Sequence, residues 1–453
     1  MLTPTQRSAM TALCLTLAAA PALAAEPAGQ AQKLTLEEAV KEALARNPRL
    51  RGARALSHAR TDQARSMRGH LLPLVDVSGL YSDLNSPEKL NIAGLLGPIL
   101  PHGGGGGAPP APFPLQGVTA GIGMVTVAQP LVGLLHLGQD FAAATDHADA
   151  SDEIVRAAEA DLREQVESGF LSLFEARALQ GIAKASLDQL ADQLTLTEAK
   201  FRDGVLTRAD VLRIKVAVAN ADQQRIQAQV QERIARASLL TLLAYPPDSQ
   251  EIDFAEPTDL ERRTVPAEST QAQAFALSHR PEIHSAALEQ SAAHHSWLSS
   301  EFKLLPEVNA SAMYLRLQGV PPGIPQDFYV LGVNLDWPIW QWGASYYQSR
   351  AASEQDDAAR FQVESLREQV SLEVDQRIAE EGAAANAVTV ARDAISQAEE
   401  AYRVTDSMVK AGAATTTDLL DAQAALAQAR LNLVRASYQD LRARSALTRA
   451  MGG

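Results

Sequence analysis

The chain has 453 residues, with 40 Lys or Arg against 54 Asp or Glu, so its formal net charge at pH 7 is −14. This acidic balance argues against a nucleic-acid partner, which requires a basic face. Cysteine occurs once, at Cys14, and this excludes a disulfide framework.

The first 24 residues have the pattern of a secretory signal peptide. A single charge, Arg7, precedes an apolar stretch from residue 9 to residue 20, and Ala22, Leu23 and Ala24 provide a small-residue cleavage site. The stretch is too short to span a membrane. A buried N-terminal helix and a lipid-attachment site at Cys14 are the alternatives, but no leucine stands in the third place before the cysteine. We therefore expect an exported protein whose cysteine is removed with the signal.

The rest of the chain is a tandem duplication. Residues 25–245 form the first repeat, residues 246–269 a linker, and residues 270–453 the second repeat. The register changes where the first repeat carries an additional Gly- and Pro-rich loop, at residues 102–114. The equivalent pairs are Pro48 and Pro281, Pro73 and Pro306, and Tyr81 and Tyr314, all 233 apart, then Pro130 and Pro338, Gly204 and Gly412, and Asp210 and Asp418, all 208 apart.

Each repeat predicts helices of two kinds. The first, over residues 36–70 and 270–302, is interrupted near its start at Asn47-Pro48 or Arg280-Pro281, because a residue before proline avoids helical geometry. The second lies in two proline-free spans, residues 131–245 and 339–453, each divided by a glycine into helices of about 65–70 and 35–40 residues. The longer helix extends roughly 100 Å. A helix of that length must pair with its neighbours as a coiled coil.

Between these helices each repeat predicts a β-hairpin with alternating apolar and polar residues. The alternation is clear around residues 75–81, 308–314 and 329–337 but changes phase near Met124 in residues 118–129, where we rely on the equivalence of the repeats. Strands of about ten residues with aromatics at one edge (Trp337, Trp340, Trp342) fit an outer-membrane barrel, although a hairpin on a soluble core shows the same alternation. The side chains expected to face the membrane are Val75, Val77, Tyr81, Tyr314, Tyr329, Leu331, Val333 and Trp337.

The two glycine turns, which we call the tips, have the same pattern. A glycine ends the long helix, and an aspartate follows six residues later, as Gly204 with Asp210 and Gly412 with Asp418. Glycine suits the left-handed closing position of a helix, and Thr and Asp oxygens cap the next one. Each tip therefore joins two antiparallel helices.

In its duplicated order of elements and its two tips, the chain resembles the TolC-like outer-membrane factor family over essentially its whole mature length. The resemblance implies a mixed, mainly α fold: a homotrimer with four strands per protomer in a shared β-barrel, continued by a helical tunnel in the periplasm. It implies the outer-membrane exit channel of a tripartite efflux system, with a periplasmic adaptor, an inner-membrane transporter and outer-membrane lipid as partners. A type I protein-secretion duct is the first alternative, and a soluble periplasmic coiled-coil scaffold the second.

The resemblance also assigns roles at the tips. Asp418 and Asp421 match acids that ring the periplasmic aperture, and Asp210 matches an outer-coil acid that the family links to an inner-coil arginine. Ala414 occupies that arginine position here, so a latch must be absent or rebuilt, with Arg208 or Lys410 as candidates. The residues expected to contact the adaptor are Gly204, Val205, Leu206, Thr207, Gly412, Ala413, Ala414 and Thr415.

Other candidate sites are weak. His279, His284, His294 and His295 lack a cysteine or carboxylate that completes a metal-ligand set, and the glycines at 103–107 lack the Lys-Ser or Lys-Thr of a phosphate loop. We find no nucleophile with a base, so we expect neither a cofactor nor catalysis. The arginines from Arg46 to Arg68 belong either to a solvated helix or to intersubunit pairs. The sequence does not predict the cargo.

Overall fold

The computed structural model describes residues 32–83, 89–90, 113–114, 119–250, 252–256, 268–319 and 325–453. The predicted signal peptide, residues 102–112 of the Gly/Pro loop and residues 257–267 of the linker lie outside these ranges. The described part is mainly helical, and its two repeats follow the predicted order.

Each repeat begins with two consecutive helices that meet at the predicted break. Asn47 ends the first helix and caps the second, because its Oδ1 accepts from the backbone N–H groups of Arg49 at 2.9 Å and Leu50 at 3.3 Å. Proline occupies the first position of the second helix in both repeats, where its missing N–H costs nothing. The helices are α1 (Leu36–Arg46) and α2 (Pro48–Gly69) in the first repeat.

Two long helical hairpins make up most of the remaining chain. Their lengths are 70 and 35 residues in the first repeat and 67 and 35 in the second, so the predicted lengths are confirmed. At 1.5 Å per residue the longer helices span about 100 Å. The bounds are α3 (Gly133–Arg202), α4 (Arg208–Leu242), α5 (Ser269–His279), α6 (Pro281–Phe302), α7 (Ala344–Lys410) and α8 (Thr416–Ala450).

The hairpins of the two repeats form one antiparallel four-stranded sheet. Its order is β2-β5-β7-β8, so the pairing of β5 with β7 joins the repeats and leaves β2 and β8 at the edges. The weakly patterned segment around residue 124 is a full strand, as the repeat predicted. The bounds are β1 (Gln32–Leu34), β2 (Leu74–Asp83), β3 (Lys89–Leu90), β4 (Phe113–Pro114), β5 (Thr119–Pro130), β6 (Ile252–Phe254), β7 (Glu307–Gln318) and β8 (Asp327–Asp336). Strands β1 and β6 pair in parallel, and β3 pairs with β4.

The register of this sheet separates its side chains into two faces. Val75 pairs with Val127, Val77 with Val125, and Tyr314 with Tyr329, so the apolar residues of all four strands share one face. The other face carries Asp76, Ser78, Asn309 and Asn334 near the helices, but its far end is apolar. There Leu315 and Leu317 are buried against Ile122, Met124 and Phe328. The expected apolar-out, polar-in alternation therefore holds only in the half of the sheet nearer the helices.

The helices pack side by side below the sheet, in the order α2, α3, α6, α7. Farther from the sheet α4 packs on α3, α8 on α7, and α3 also contacts α8. The main core lies in the first repeat, where the fully buried Phe170 contacts the rings of Phe174 and Phe254 at centroid distances of 5.1 and 5.8 Å. A smaller core in the second repeat holds Val374 and Leu447.

Candidate functional site

The two tips have nearly identical backbones. Gly204 and Gly412 both have φ of 75°, the left-handed conformation that favours glycine. The next amide reaches back to the long helix in each copy, from Val205 to the Lys200 carbonyl at 2.9 Å and from Ala413 to the Met408 carbonyl at 2.8 Å. This six-to-one bond is the Schellman closure, and it turns the chain sharply into the shorter helix.

A reciprocal capping box starts each shorter helix. The Asp418 Oδ2 accepts from the backbone N–H of Thr415 at 2.8 Å and from its hydroxyl at 2.7 Å, and the Thr415 hydroxyl accepts from the Asp418 N–H at 3.3 Å. Thr207 and Asp210 repeat the arrangement at 3.0, 2.6 and 3.3 Å. The hydrogen bonds from the threonine lower the pKa of each carboxyl below its ordinary value. Both acids therefore remain charged well into the acidic range.

Asp421 lies one turn beyond Asp418 on the same side of α8. It is exposed, and within the described residues it has no hydrogen bond or ion pair. The two carboxylates thus point toward solvent beside the tip, one held by the cap and one free. Such a pair attracts cations.

Among the described residues, one side-chain hydrogen bond joins the two tips. The Arg213 Nη1 on α4 donates to the Thr417 Oγ1 on α8 at 3.1 Å. The same nitrogen lies 3.9 Å from the Asp210 Oδ1. The predicted candidates do not make this link: Lys410 pairs with Asp406 on its own helix at 2.6 Å, and Arg208 has no ion pair among the described residues. Sequence reasoning missed Arg213, although its spacing three residues after Asp210 was a usable signal.

The residues predicted to contact an adaptor lie at the surface. Val205 is 71% exposed, and Leu206 and Ala414 are the two half-buried members. Beyond the two capping boxes, no side chain in this set makes a hydrogen bond or ion pair to another part of the described chain. The tips therefore present small and apolar groups to solvent.

At the other end of the molecule, the apolar face of the sheet is open. Val77 is 74% exposed and Leu331 is 83% exposed. Tyr314 is half-buried, because its ring lies 5.3 Å from that of Tyr329. The face continues into exposed aromatics where β8 leads into α7, with Trp337, Trp340 and Trp342 at 53%, 74% and 86%. Exposed apolar area of this extent marks an interaction surface.

No described helix is both long and apolar enough to cross a membrane. The histidines singled out in the sequence have separate partners: His294 Nδ1 lies 2.9 Å from Asp356 and His295 Nδ1 lies 2.6 Å from Gln139. In the described ranges no three His, Cys, Asp or Glu side chains are grouped to hold a metal ion.

The family model described as "Outer membrane efflux protein" matches residues 39–244 and 274–453, one segment for each repeat. Three relatives are similar in sequence. The outer membrane efflux protein BepC of Brucella suis biovar 1 (strain 1330) is 25% identical over 315 residues, covering 69% of this chain and 68% of that protein. The pyoverdine export outer membrane protein OpmQ of Pseudomonas aeruginosa is 27% identical, covering 64% and 60%. The alkaline protease secretion protein AprF of the same species is 21% identical, covering 65% and 62%.

Solved structures have the same fold over almost the entire chain. The outer-membrane channel OprN is 19% identical, with a TM-score of 0.78 and coverage of 92% of this chain and 90% of that one. The outer membrane protein VceC of Vibrio cholerae is 19% identical, with a TM-score of 0.77 and coverage of 92% and 96%. At these identities the likeness concerns the fold.

Proposed function

Since the chain belongs to the outer membrane efflux protein family, and is an efflux channel protein of the outer membrane, we propose that three copies of it close one continuous duct. The single observation that supports the trimer is the sheet. One of its faces is apolar and exposed, and its edge strands β2 and β8 each have only one strand partner among the described residues.

An open sheet edge cannot face lipid. Each unpaired backbone group in the hydrocarbon layer costs several kcal/mol, so a spanning sheet must close on itself. Four strands are too few for a barrel, and bacterial barrels begin at about eight. Pairing β2 of one copy with β8 of the next, three times, gives an even-stranded barrel with a water-filled interior. The aromatics from Trp337 to Trp342 would then lie at the periplasmic interface of the membrane.

The helices would continue this barrel as a tunnel into the periplasm, with the tips at its far end. In a trimer Asp418 and Asp421 repeat three times, which places six carboxylates around the entrance. Such a ring favours cations and resists anions. The Arg213–Thr417 contact would hold the closed arrangement, and opening would separate the two tips.

The duct performs no chemistry, and its cargo leaves passively. An inner-membrane transporter would supply the energy through a periplasmic adaptor, whose hairpins would meet the tip surface from Gly204 to Thr207 and from Gly412 to Thr415. A type I protein-secretion duct is the second candidate, because AprF is named as an alkaline protease secretion protein. A soluble scaffold is disfavoured, since it has no use for exposed Leu331 and Trp342.

Membrane extraction and mass in detergent test this proposal. We expect the protein to remain with outer membranes in alkaline carbonate, to require detergent for release, and then to have the mass of three copies. Release by carbonate as a soluble species would contradict the membrane assignment. A detergent-solubilised monomer would contradict the shared barrel.

A further inference from the structure

Helix α2 is strongly basic in an acidic chain. Its sequence contains six arginines and one acid, Asp62. Arg54 pairs with Glu159 at 2.7 Å and Arg65 with Asp62 at 3.0 Å. The others are Arg49, Arg51, Arg60 and Arg68, which are all exposed and have no ion pair among the described residues. We therefore looked for an acidic surface of another copy that these arginines could contact.

The upper part of α7 provides such a surface. Glu354, Asp357, Phe361, Glu364 and Glu368 recur at spacings of three and four, so they share one side of the helix. All five are exposed, and the Phe361 ring is 58% exposed. Three of the acids, Glu354, Glu364 and Glu368, have no ion pair in the described chain. Val363 and Val370, on the opposite side of α7, are buried against the rest of the protein.

These two helices are the outer members of the layer α2, α3, α6, α7. They stand below the two edge strands, since α2 leads into β2 and β8 leads into α7. Joining β2 of one copy to β8 of the next therefore brings α2 of the first copy beside α7 of the second. The acidic side of α7 lies opposite the buried Val363 and Val370 and so faces away from its own chain, whereas Arg49 and Arg60 flank the buried side of α2.

The internal duplication sets the level at which the two helices meet. Within one chain α3 and α6 form the equivalent seam, in which His147 Nδ1 lies 2.8 Å from Glu289 Oε2. The residue equivalent to His147 is Gln355, 208 positions later, and the residue equivalent to Glu289 is Leu56, 233 positions earlier. Leu56, 60% exposed, should thus lie level with Gln355 of the neighbouring copy.

This alignment brings opposite charges within one helical turn of each other, and it also places the exposed Arg350 one residue from the level of Arg60. The helices run antiparallel, so Arg60, four residues from Leu56 toward the sheet, is level with position 351, three residues from Glu354. Arg49, seven residues the other way, is level with position 362, two residues from Glu364. Both offsets are less than one helical turn, about 5.4 Å, which an arginine side chain readily spans.

We propose that α2 and the upper part of α7 form the intersubunit seam between copies of this chain, held by ion pairs of Arg60 with Glu354 and of Arg49 with Glu364. Phe361 and Leu56 lie between these pairs as apolar contacts. The proposal rests on the trimer proposed above and specifies where its copies recognise each other. A basic side against an acidic side also prevents two like helices from pairing, which fixes the order of copies around the ring.

Cysteine crosslinking tests the alignment, because the chain has no cysteine after Cys14. Leu56→Cys combined with Gln355→Cys, treated with a short bismaleimide, should give covalent dimers and trimers on a denaturing gel. The matched control is Glu289→Cys with His147→Cys, which should crosslink within one chain and stay at monomer size. Monomers from both pairs would contradict the alignment.

Charge reversal tests the pairs. Arg49→Glu with Arg60→Glu, and Glu354→Arg with Glu364→Arg, should each lower the temperature at which trimers dissociate in detergent. The combination of all four should restore it, and added salt should weaken the wild-type trimer. A swap within one helix, Glu400→Arg with Arg403→Glu, should have no effect. Trimers that tolerate both reversals would overturn the seam alone, whereas a monomeric wild type would overturn the proposed trimer.

Discussion

Arg213 donates to Thr417 at 3.1 Å, and in the described chain this is the side-chain hydrogen bond that connects one tip to the other. Arg213 also lies 3.9 Å from Asp210, the acid for which the family resemblance implied an arginine partner on the other hairpin. The arginine thus comes from the same helix as the acid, and the cross-hairpin partner is a hydroxyl. This contact is a natural candidate for the latch that Ala414 cannot make.

Removing this contact should favour the open channel. Thr417→Val removes the acceptor with little change in shape, and a typical hydrogen bond contributes about 1 kcal/mol. Three copies would then shift the closed–open equilibrium by up to about 3 kcal/mol. Single-channel recordings should show longer open times for Thr417→Val and Arg213→Ala. Thr417→Ser retains a hydroxyl and Lys410→Ala removes a pair made within α7, so neither should change gating. Open times that are the same in all four variants would exclude the latch.

The structural and gating roles of the tip acids should separate on mutation. Asp418→Ala removes both the capping box and one carboxylate, whereas Asp421→Ala removes only a carboxylate. Hydrogen exchange in the first turn of α8 should therefore rise in Asp418→Ala and stay unchanged in Asp421→Ala. Asp210→Ala is the matched control, because it should loosen α4 in the same manner without touching the proposed ring. Equal exchange in Asp418→Ala and wild type would show that the cap contributes nothing.

Acid should loosen both tips. Hydrogen bonds from Thr207 and Thr415 depress the folded-state pKa values of Asp210 and Asp418. A depressed carboxyl pKa contributes stability above the unfolded-state value, about 3.9, and this stability is lost as the pH falls through the folded-state value. Exchange at the tips, corrected for intrinsic rates, should rise only below about pH 4. Asp418→Asn should abolish the step in the second tip while leaving that of the first. If the rise in exchange at the second tip persists in Asp418→Asn, a group other than Asp418 causes it.

The core of the first repeat should determine the stability of the protomer. Phe170 is fully buried between Phe174 and Phe254, so Phe170→Ala removes packing from both rings. Such truncations cost about 3–5 kcal/mol. Urea unfolding followed by circular dichroism should show the loss. Val390→Ala, at a position that is 68% exposed, should leave protomer unfolding nearly unchanged. Similar losses for the two variants would contradict this placement of the core.

The long-range plan was predictable because the chain repeats. Gly204 and Gly412 fixed the tips, and the prolines at 48 and 281 fixed the helix breaks, since both residue types restrict backbone geometry locally. The equivalence of the two repeats also predicted β5, although its alternation of apolar and polar residues changes phase near Met124. The sequence predicted the order and lengths of elements because these depend on local residue properties.

Contacts between residues far apart in the sequence were not predictable in this way. Asn47 and Arg280 occupy equivalent positions, yet Asn47 donates to the Leu242 carbonyl at 3.1 Å while Arg280 pairs with Glu373 at 2.7 Å. In the sequence, Leu315 and Leu317 show only the alternation of an ordinary strand. The strand register of the structure places Met124 and Phe328 beside them, which forms the apolar patch. Arg213 and Thr417 are 204 positions apart in sequence. Only folding of both hairpins brings such residues together.

The most direct test of the duct is conductance of the detergent-purified protein in a planar bilayer, with trivalent cations added from the periplasmic side. We expect small, cation-selective openings that trivalent ions block, and larger openings without that block in Asp418→Ala with Asp421→Ala. Channels that the double substitution leaves unchanged would move the gate away from the tips. Absence of any channel from a protein that stays soluble without detergent would contradict the duct itself.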